Sequence, residues 1–224
     1  MGISFVCLDN AFPYHNFNTV SINNQMGTHQ AIEYLCQMGH TDIGYLKSEV
    51  RISSFLEREQ GYQKACEKFG LQFNPDYVFE IPYTEEESYQ SFKQILENNV
   101  ILPTAFITDD DTLSLGVTKA LTEKGVAIPG EISIVGYNDR PNCEISSPKL
   151  TTIAVPKQAF AFEAVCCTEC LINRKFSRHR FLCMYRNLCY RQETCCKHKE
   201  YQMLFNLSGL LDHLHLLPAF SFSS

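Results

Sequence analysis

The chain has 224 residues, 45% of them hydrophobic and 20% charged, with a formal net charge of −6 at pH 7. These proportions belong to a folded chain long enough to bury a core, and they exclude a disordered or fibrous protein. No run of 18 apolar residues occurs, so neither a transmembrane helix nor a membrane partner is expected.

Residues 3–8 (ISFVCL) form a short apolar run and read as a buried strand. Residues 27–38 then read as a helix, with Ala31, Leu35 and Met38 on one face and Gly39 as its stop. His40, just beyond that stop, is expected to cap the helix end. A strand follows at 43–46, and a helix at 55–69 with Tyr62, Ala65, Cys66 and Phe69 at helical spacing, ended by Gly70. Residues 77–81 read as a strand, and 85–97 as a helix whose acidic first turn suits the macrodipole. A strand at 104–108, a helix at 111–124 stopped by Gly125, and a strand at 132–137 complete the series. Strand and helix alternate with short links, which predicts an α/β fold with a parallel sheet covered by helices on both faces.

The pattern fades after Phe162, and the chemistry changes with it. Residues 1–165 carry 11 basic and 21 acidic side chains, a net of −10, whereas residues 166–224 carry 8 and 4, a net of +4. Four of the 11 cysteines precede residue 166, and seven lie from Cys166 to Cys196. The acidic body argues against a nucleic-acid surface within it. The odd cysteine count and the lack of a basic leader in residues 1–10 favour a reducing, cytoplasmic setting.

In parallel sheets, ligands bind beyond the carboxyl ends of the strands. There the sequence offers Asp9-Asn10, then Tyr83, then Asp109-Asp110-Asp111, then Asn138-Asp139, with Arg58 near the start of the second helix. Carboxylates and amides joined by one arginine and one tyrosine suit a hydroxyl-bearing small molecule, because the aromatic face packs on a sugar's C–H face.

Several separate segments carry a specific resemblance. "AIEYLCQMGHTDIGYL" (31–46), "REQGYQKA" (58–65), "AFITDDDTLSLGVTKALTEKGVAIPGEISIVGYNDRP" (105–141) and "SPKLTTIAVP" (147–156) follow one another in the order and spacing of the LacI/GalR regulators. The chain therefore resembles the effector domain of that family over roughly residues 3–165. The resemblance implies Rossmann-like parallel sheets in a two-lobed, periplasmic-binding-protein-like type I fold with the first lobe incomplete. It implies a sugar or related small-molecule effector held in the cleft by Asp9, Arg58, Tyr83, Asp110 and Asn138. Gly61, in the R-x-x-G motif, would allow close helix packing, and Asp111 would cap the helix it begins. The family usually has an aspartate where this chain has Asn138, and an amide donates as well as accepts.

The same resemblance divides the chain. Residues 1–22 would be a remnant of the N-terminal lobe, 23–153 the C-terminal lobe, and 154–194 the return to the N-terminal lobe with a degenerate closing segment. Residues 195–224 have no family counterpart, and the break at residue 166 also fits a tail outside the native reading frame. Operator DNA would be reached only through a helix-turn-helix headpiece absent from this sequence, and the intact family member would be a homodimer.

Other chemistries find less support. Mg²⁺ at Asp109–Asp111 would need three consecutive side chains to converge on one ion, although neighbours diverge as a strand ends. Cys166, Cys167 and Cys170 with Cys195, Cys196 and His198 have only loose zinc spacing, with Cys183 and Cys189 between them. No nucleophile–base arrangement, GxSxG, GxGxxG or Walker sequence occurs. No enzyme activity, cofactor or metal is therefore expected. The rival readings are an extracytoplasmic sugar-binding protein of a transport system and, further off, a Mg-dependent α/β enzyme.

Overall fold

The computed structural model describes residues 5–9 and 18–172, together with the backbone of 188–190. Among these residues the strands are β1 (Val6–Leu8), β2 (Asn18–Val20), β3 (Ile43–Ser48), β4 (Val78–Ile81), β5 (Ala105–Thr108), β6 (Ser133–Asn138), β7 (Thr151–Ala154) and β8 (Leu188–Tyr190). The helices are α1 (Asn24–Gln37), α2 (Ser53–Phe69), α3 (Glu85–Glu97), α4 (Asp111–Glu123), α5 (Asn142–Ile145) and α6 (Lys157–Ile172). β1 and β2 pair in parallel as a small separate sheet. The larger sheet runs β4-β3-β5-β6-β7-β8, parallel throughout except that β8 lies antiparallel to β7.

The larger sheet is buried on both faces because its strands carry apolar side chains at consecutive positions, and alternation sends them to opposite sides. Ile43, Tyr45, Ala105, Ile107, Val135 and Tyr137 pack with Ala31, Leu35, Tyr62 and Ala65 of α1 and α2. Leu46, Phe106 and Ile134 pack with Phe92, Leu96, Leu113 and Val117 of α3 and α4. On that second face Phe79, Phe92 and Phe106 meet edge-on at 5.7–6.0 Å between ring centroids. Phe92 and Phe106, both fully buried, each stabilise the fold by roughly 2–3 kcal/mol. α6 packs instead on β1 and β2.

The helix stops follow from backbone chemistry. Gly39, Gly70 and Gly125 have φ of 90°, 66° and 88°, which glycine adopts without steric cost. α1 and α2 start earlier than the apolar pattern predicts, whereas α3 and α4 start where it places them. α1 begins at Asn24 rather than residue 27, because Asn23 caps it by accepting from the Met26 N–H at 3.0 Å. β2, β7 and α5 are three or four residues long, too short for periodicity to mark.

His40 closes the end of α1 as expected, through its backbone N–H on the Leu35 carbonyl. Its buried ring joins two strand entrances, with Nδ1 2.9 Å from Thr104 Oγ1 and Nε2 3.0 Å from Ser133 Oγ. Among the described residues no helix is long and apolar enough to cross a membrane.

Candidate functional site

The carboxyl ends of β1, β4, β5 and β6 deliver Asp9, Tyr83, Asp109–Asp111 and Asn138–Arg140 to the neighbourhood of Arg58, in the second turn of α2. The backbone bends sharply there: Asp9, Asn138 and Asp139 have φ of 54°, 104° and 53°. Asn and Asp tolerate this left-handed region better than other side chains, so residue type and rim geometry are coupled.

Arg58 is the hub. It is 1% exposed, and each of its nitrogens has a protein partner. Nε donates to Asn24 Oδ1 at 2.9 Å, Nη1 to the Asp109 carbonyl, and Nη2 to Asn138 Oδ1 at 3.3 Å. The guanidinium also lies 3.7 Å from the centroid of the Tyr137 ring and 5.3 Å from that of Phe55. A buried cation held this way is costly to desolvate, and the ring faces and acceptors offset that cost.

The three consecutive aspartates diverge. Asp109 is fully buried and accepts from the Tyr45 hydroxyl at 2.5 Å and the Ser48 N–H at 2.7 Å. Burial pushes its carboxyl up to about 6 against the pull of those hydrogen bonds. Asp111 is likewise raised by burial to about 6, and it accepts from Thr152 Oγ1 at 2.5 Å and the Arg140 N–H at 2.8 Å. Asp110 lies between them as the helix cap. Its side chain accepts from the Thr112 N–H at 2.8 Å, so the cap of α4 is Asp110 rather than the expected Asp111. Asp111 is instead the first residue of α4, and its carboxylate turns inward to Thr152 of β7.

Asn138 uses both ends of its amide. Oδ1 accepts from Arg58, and Nδ2 donates to Asp110 Oδ2 at 2.5 Å. Arg140 continues the chain: Nε donates to Asp110 Oδ1 at 3.0 Å, and Nη2 reaches Asp110 Oδ2 at 3.2 Å and the Tyr83 hydroxyl at 2.9 Å. Tyr83 also packs against Phe55, ring to ring at 5.8 Å. Its hydroxyl is pushed up by burial first and by Asp110 second.

Asp9 is half-buried, and its Oδ1 is buried with no hydrogen-bond partner among the described residues. Burial raises its carboxyl, and the charge of Arg58 opposes that rise. Of the five residues expected at the cleft, Arg58, Asn138, Asp110 and Tyr83 are linked by hydrogen bonds, the last through Arg140, and Asp9 lies within the influence of the Arg58 charge. Sequence reasoning missed Asn24, Tyr137, Phe55 and Arg140. Only Arg140 carried a signal, as the residue directly after the GYND turn.

A rim of fixed carboxylates, amides and a tyrosine at the strand ends is the arrangement by which parallel α/β sheets hold small polar molecules. The sequence as a whole decides its kinship. The periplasmic binding protein-like domain matches residues 32–194. The chain belongs to that family, in the form of the LacI/GalR effector domain.

As a LacI/GalR effector domain the chain is 31% identical over 179 residues to the HTH-type transcriptional repressor PurR of Histophilus somni (strain 129Pt), covering 80% of this chain and 54% of that protein. It therefore spans about half the length of the curated relatives it matches. In fold it is similar to a putative transcriptional regulator LacI from Bacillus cereus subsp. cytotoxis NVH 391-98. The TM-score is 0.75 at 24% identity, over 86% of this chain and 68% of that one. A LacI family transcriptional regulator from Enterococcus faecium, solved with bound ribose, has a TM-score of 0.73 at 22% identity, over 87% and 71%.

Two other places in this effector domain invite comparison with the rim. A cleft of about 490 Å³ lies at the β4 edge, lined by Tyr45, Lys47, Tyr62, Phe73 and Glu80 among others. Its charges are already paired, Lys47 with Glu80 at 3.0 Å, so the rim is the better-equipped site. The zinc reading joins Cys166, Cys167 and Cys170 of α6 to Cys195, Cys196 and His198, and the last three lie outside the described residues. Among the described residues no cluster of three or more His, Cys, Asp or Glu side chains is arranged to hold a metal ion.

Proposed function

We propose that this chain is the effector-binding part of a DNA-binding transcription regulator, taking a sugar or related small molecule at the rim. The observation that carries the reading is the convergence of Asp9, Arg58, Tyr83, Asp110 and Asn138 from separate strand and helix ends into one connected polar surface. Asp9 Oδ1, without a partner among the described residues, supports it, because a buried acceptor of that kind gains from a ligand hydroxyl. The bound ribose of the Enterococcus faecium neighbour supports a sugar-like ligand class.

In this reading residues 23–153 form the C-terminal lobe, residues 1–22 belong to the N-terminal lobe, and residues 154–194 are the return to that lobe with a closing segment whose β8 pairs with β7 in the larger sheet. Ligand would favour one relative orientation of the lobes. In the intact regulator that orientation is coupled to helix-turn-helix headpieces of a cytoplasmic homodimer on operator DNA. The repressor name of the Histophilus somni relative supports that output and favours no enzymatic role. The test is a thermal-shift panel of sugars, nucleobases and sugar phosphates on the 224-residue chain. At least one member is expected to raise the melting temperature, and Asp9→Ala is expected to abolish that rise. A panel with no shift would overturn the reading.

A further inference from the structure

The chain of contacts on the rim leaves an unequal set of free groups. Asp110 accepts four hydrogen bonds, from the Thr112 N–H, Asn138 Nδ2, Arg140 Nε and Arg140 Nη2. A carboxylate offers about four lone-pair sites, so nothing is left on Asp110 for a ligand hydroxyl. The hydroxyl of Tyr83 accepts from Arg140 Nη2, and the Asp110 carboxylate faces the same hydroxyl. The Arg140 side chain remains 45% exposed, although its guanidinium is fixed on two partners and its backbone N–H is fixed on Asp111. At this end of the rim the outward-facing charged group is therefore a positioned arginine, with the Tyr83 ring beside it. A planar guanidinium suits an acceptor of negative charge.

Near Arg58 stands the Asp9 carboxylate, whose buried oxygen has no partner among the described residues. That oxygen accepts, so it suits a ligand hydroxyl.

We infer that Arg140 is a specificity-determining residue, and that the ligand is a polyhydroxylated anion whose carboxylate or phosphate sits against Arg140 and Tyr83 while a hydroxyl faces Asp9. In this assignment Asp110, expected from the sequence to touch the ligand, is a positioning residue that aims Arg140. The inference rests on the small-molecule reading above and narrows its ligand class.

The test uses the full chain and four probes: glucose, glucose 6-phosphate, glucuronate and inorganic phosphate, by calorimetric titration. Glucose 6-phosphate, glucuronate or both are expected to bind at least about tenfold more tightly than glucose, as one charge-assisted contact requires. Which of the two anions is preferred tells phosphate from carboxylate. Arg140→Gln, which keeps a hydrogen-bonding side chain on Asp110, is expected to erase that preference while circular dichroism stays unchanged. Arg140→Lys is expected to restore part of it, since the charge returns without the planar fork.

Tighter binding of glucose than of either anion, unaltered by Arg140→Gln, would overturn this inference and leave the small-molecule reading standing. Binding of inorganic phosphate as tight as that of glucose 6-phosphate would also overturn it, because the polyol half would then contribute nothing. Failure of all four probes, and of the wider panel as well, would overturn both readings.

Discussion

The amide of Asn138 carries one acceptor and one donor, and the rim uses each once, toward Arg58 and toward Asp110. Asn138→Asp would keep the first contact and turn the second into two facing carboxylates. The expected cost is about 1–3 kcal/mol, read as a lower urea midpoint at neutral pH that partly recovers in acid. Asp109 and Asp111 give a second prediction. Burial holds both near about 6, well above the ordinary aspartate value of 3.8. The native state therefore holds protons that the unfolded chain has already released, and their contribution is fully present below pH 4 and lost as pH rises through 6. Melting temperatures measured from pH 4 to 7 are expected to fall across that window, and Asp109→Asn is expected to flatten the slope.

Helix-to-helix contact sets the next scale. α1 and α2 lie side by side because Gly61 has no side chain to hold them apart. A Cβ at that position would stand 2.8 Å from the Gln25 Cα and 3.2 Å from the Thr28 Cβ. Backbone cannot yield as a flexible side chain does, so Gly61→Ala is expected to cost about 1–3 kcal/mol. The same shift would move Asn24 of α1 away from Arg58 of α2, since those two residues bridge the helices. Chemical denaturation measures the first effect. The second predicts a weaker ligand response in the thermal-shift assay than an equally destabilising change on α3 or α4 would cause.

Across the molecule the two sheets differ in size. β3, β5 and β6 are flanked by strands on both edges and by helices on both faces, whereas β1 and β2 are three residues long and pair only with each other among the described residues. Amide exchange is expected to be slowest in β3, β5 and β6 and clearly faster in β1, β2 and α6. Uniform protection across both sheets would show one cooperative unit instead.

The strand–helix alternation, the glycine stops, the parallel sheet and the rim residues were legible in the amino-acid order. They depend on local periodicity, on φ preferences, and on the rule that ligands collect at strand carboxyl ends. The TDDD and GYND segments pointed to the rim for the same reason, since each follows a strand, whereas R-x-x-G was read through the family resemblance. The tertiary structure alone decided the division of labour within it. It made Asp110 the cap and Asp111 the inward anchor, and it joined His40 to hydroxyls on two strands. It also buried Arg58 among Asn24, Tyr137 and Asn138, and brought Arg140 onto Tyr83, 57 residues away in sequence. Those contacts join residues far apart in the chain, and a hydrogen bond is chosen by distance and direction in space, which neighbours in sequence do not encode.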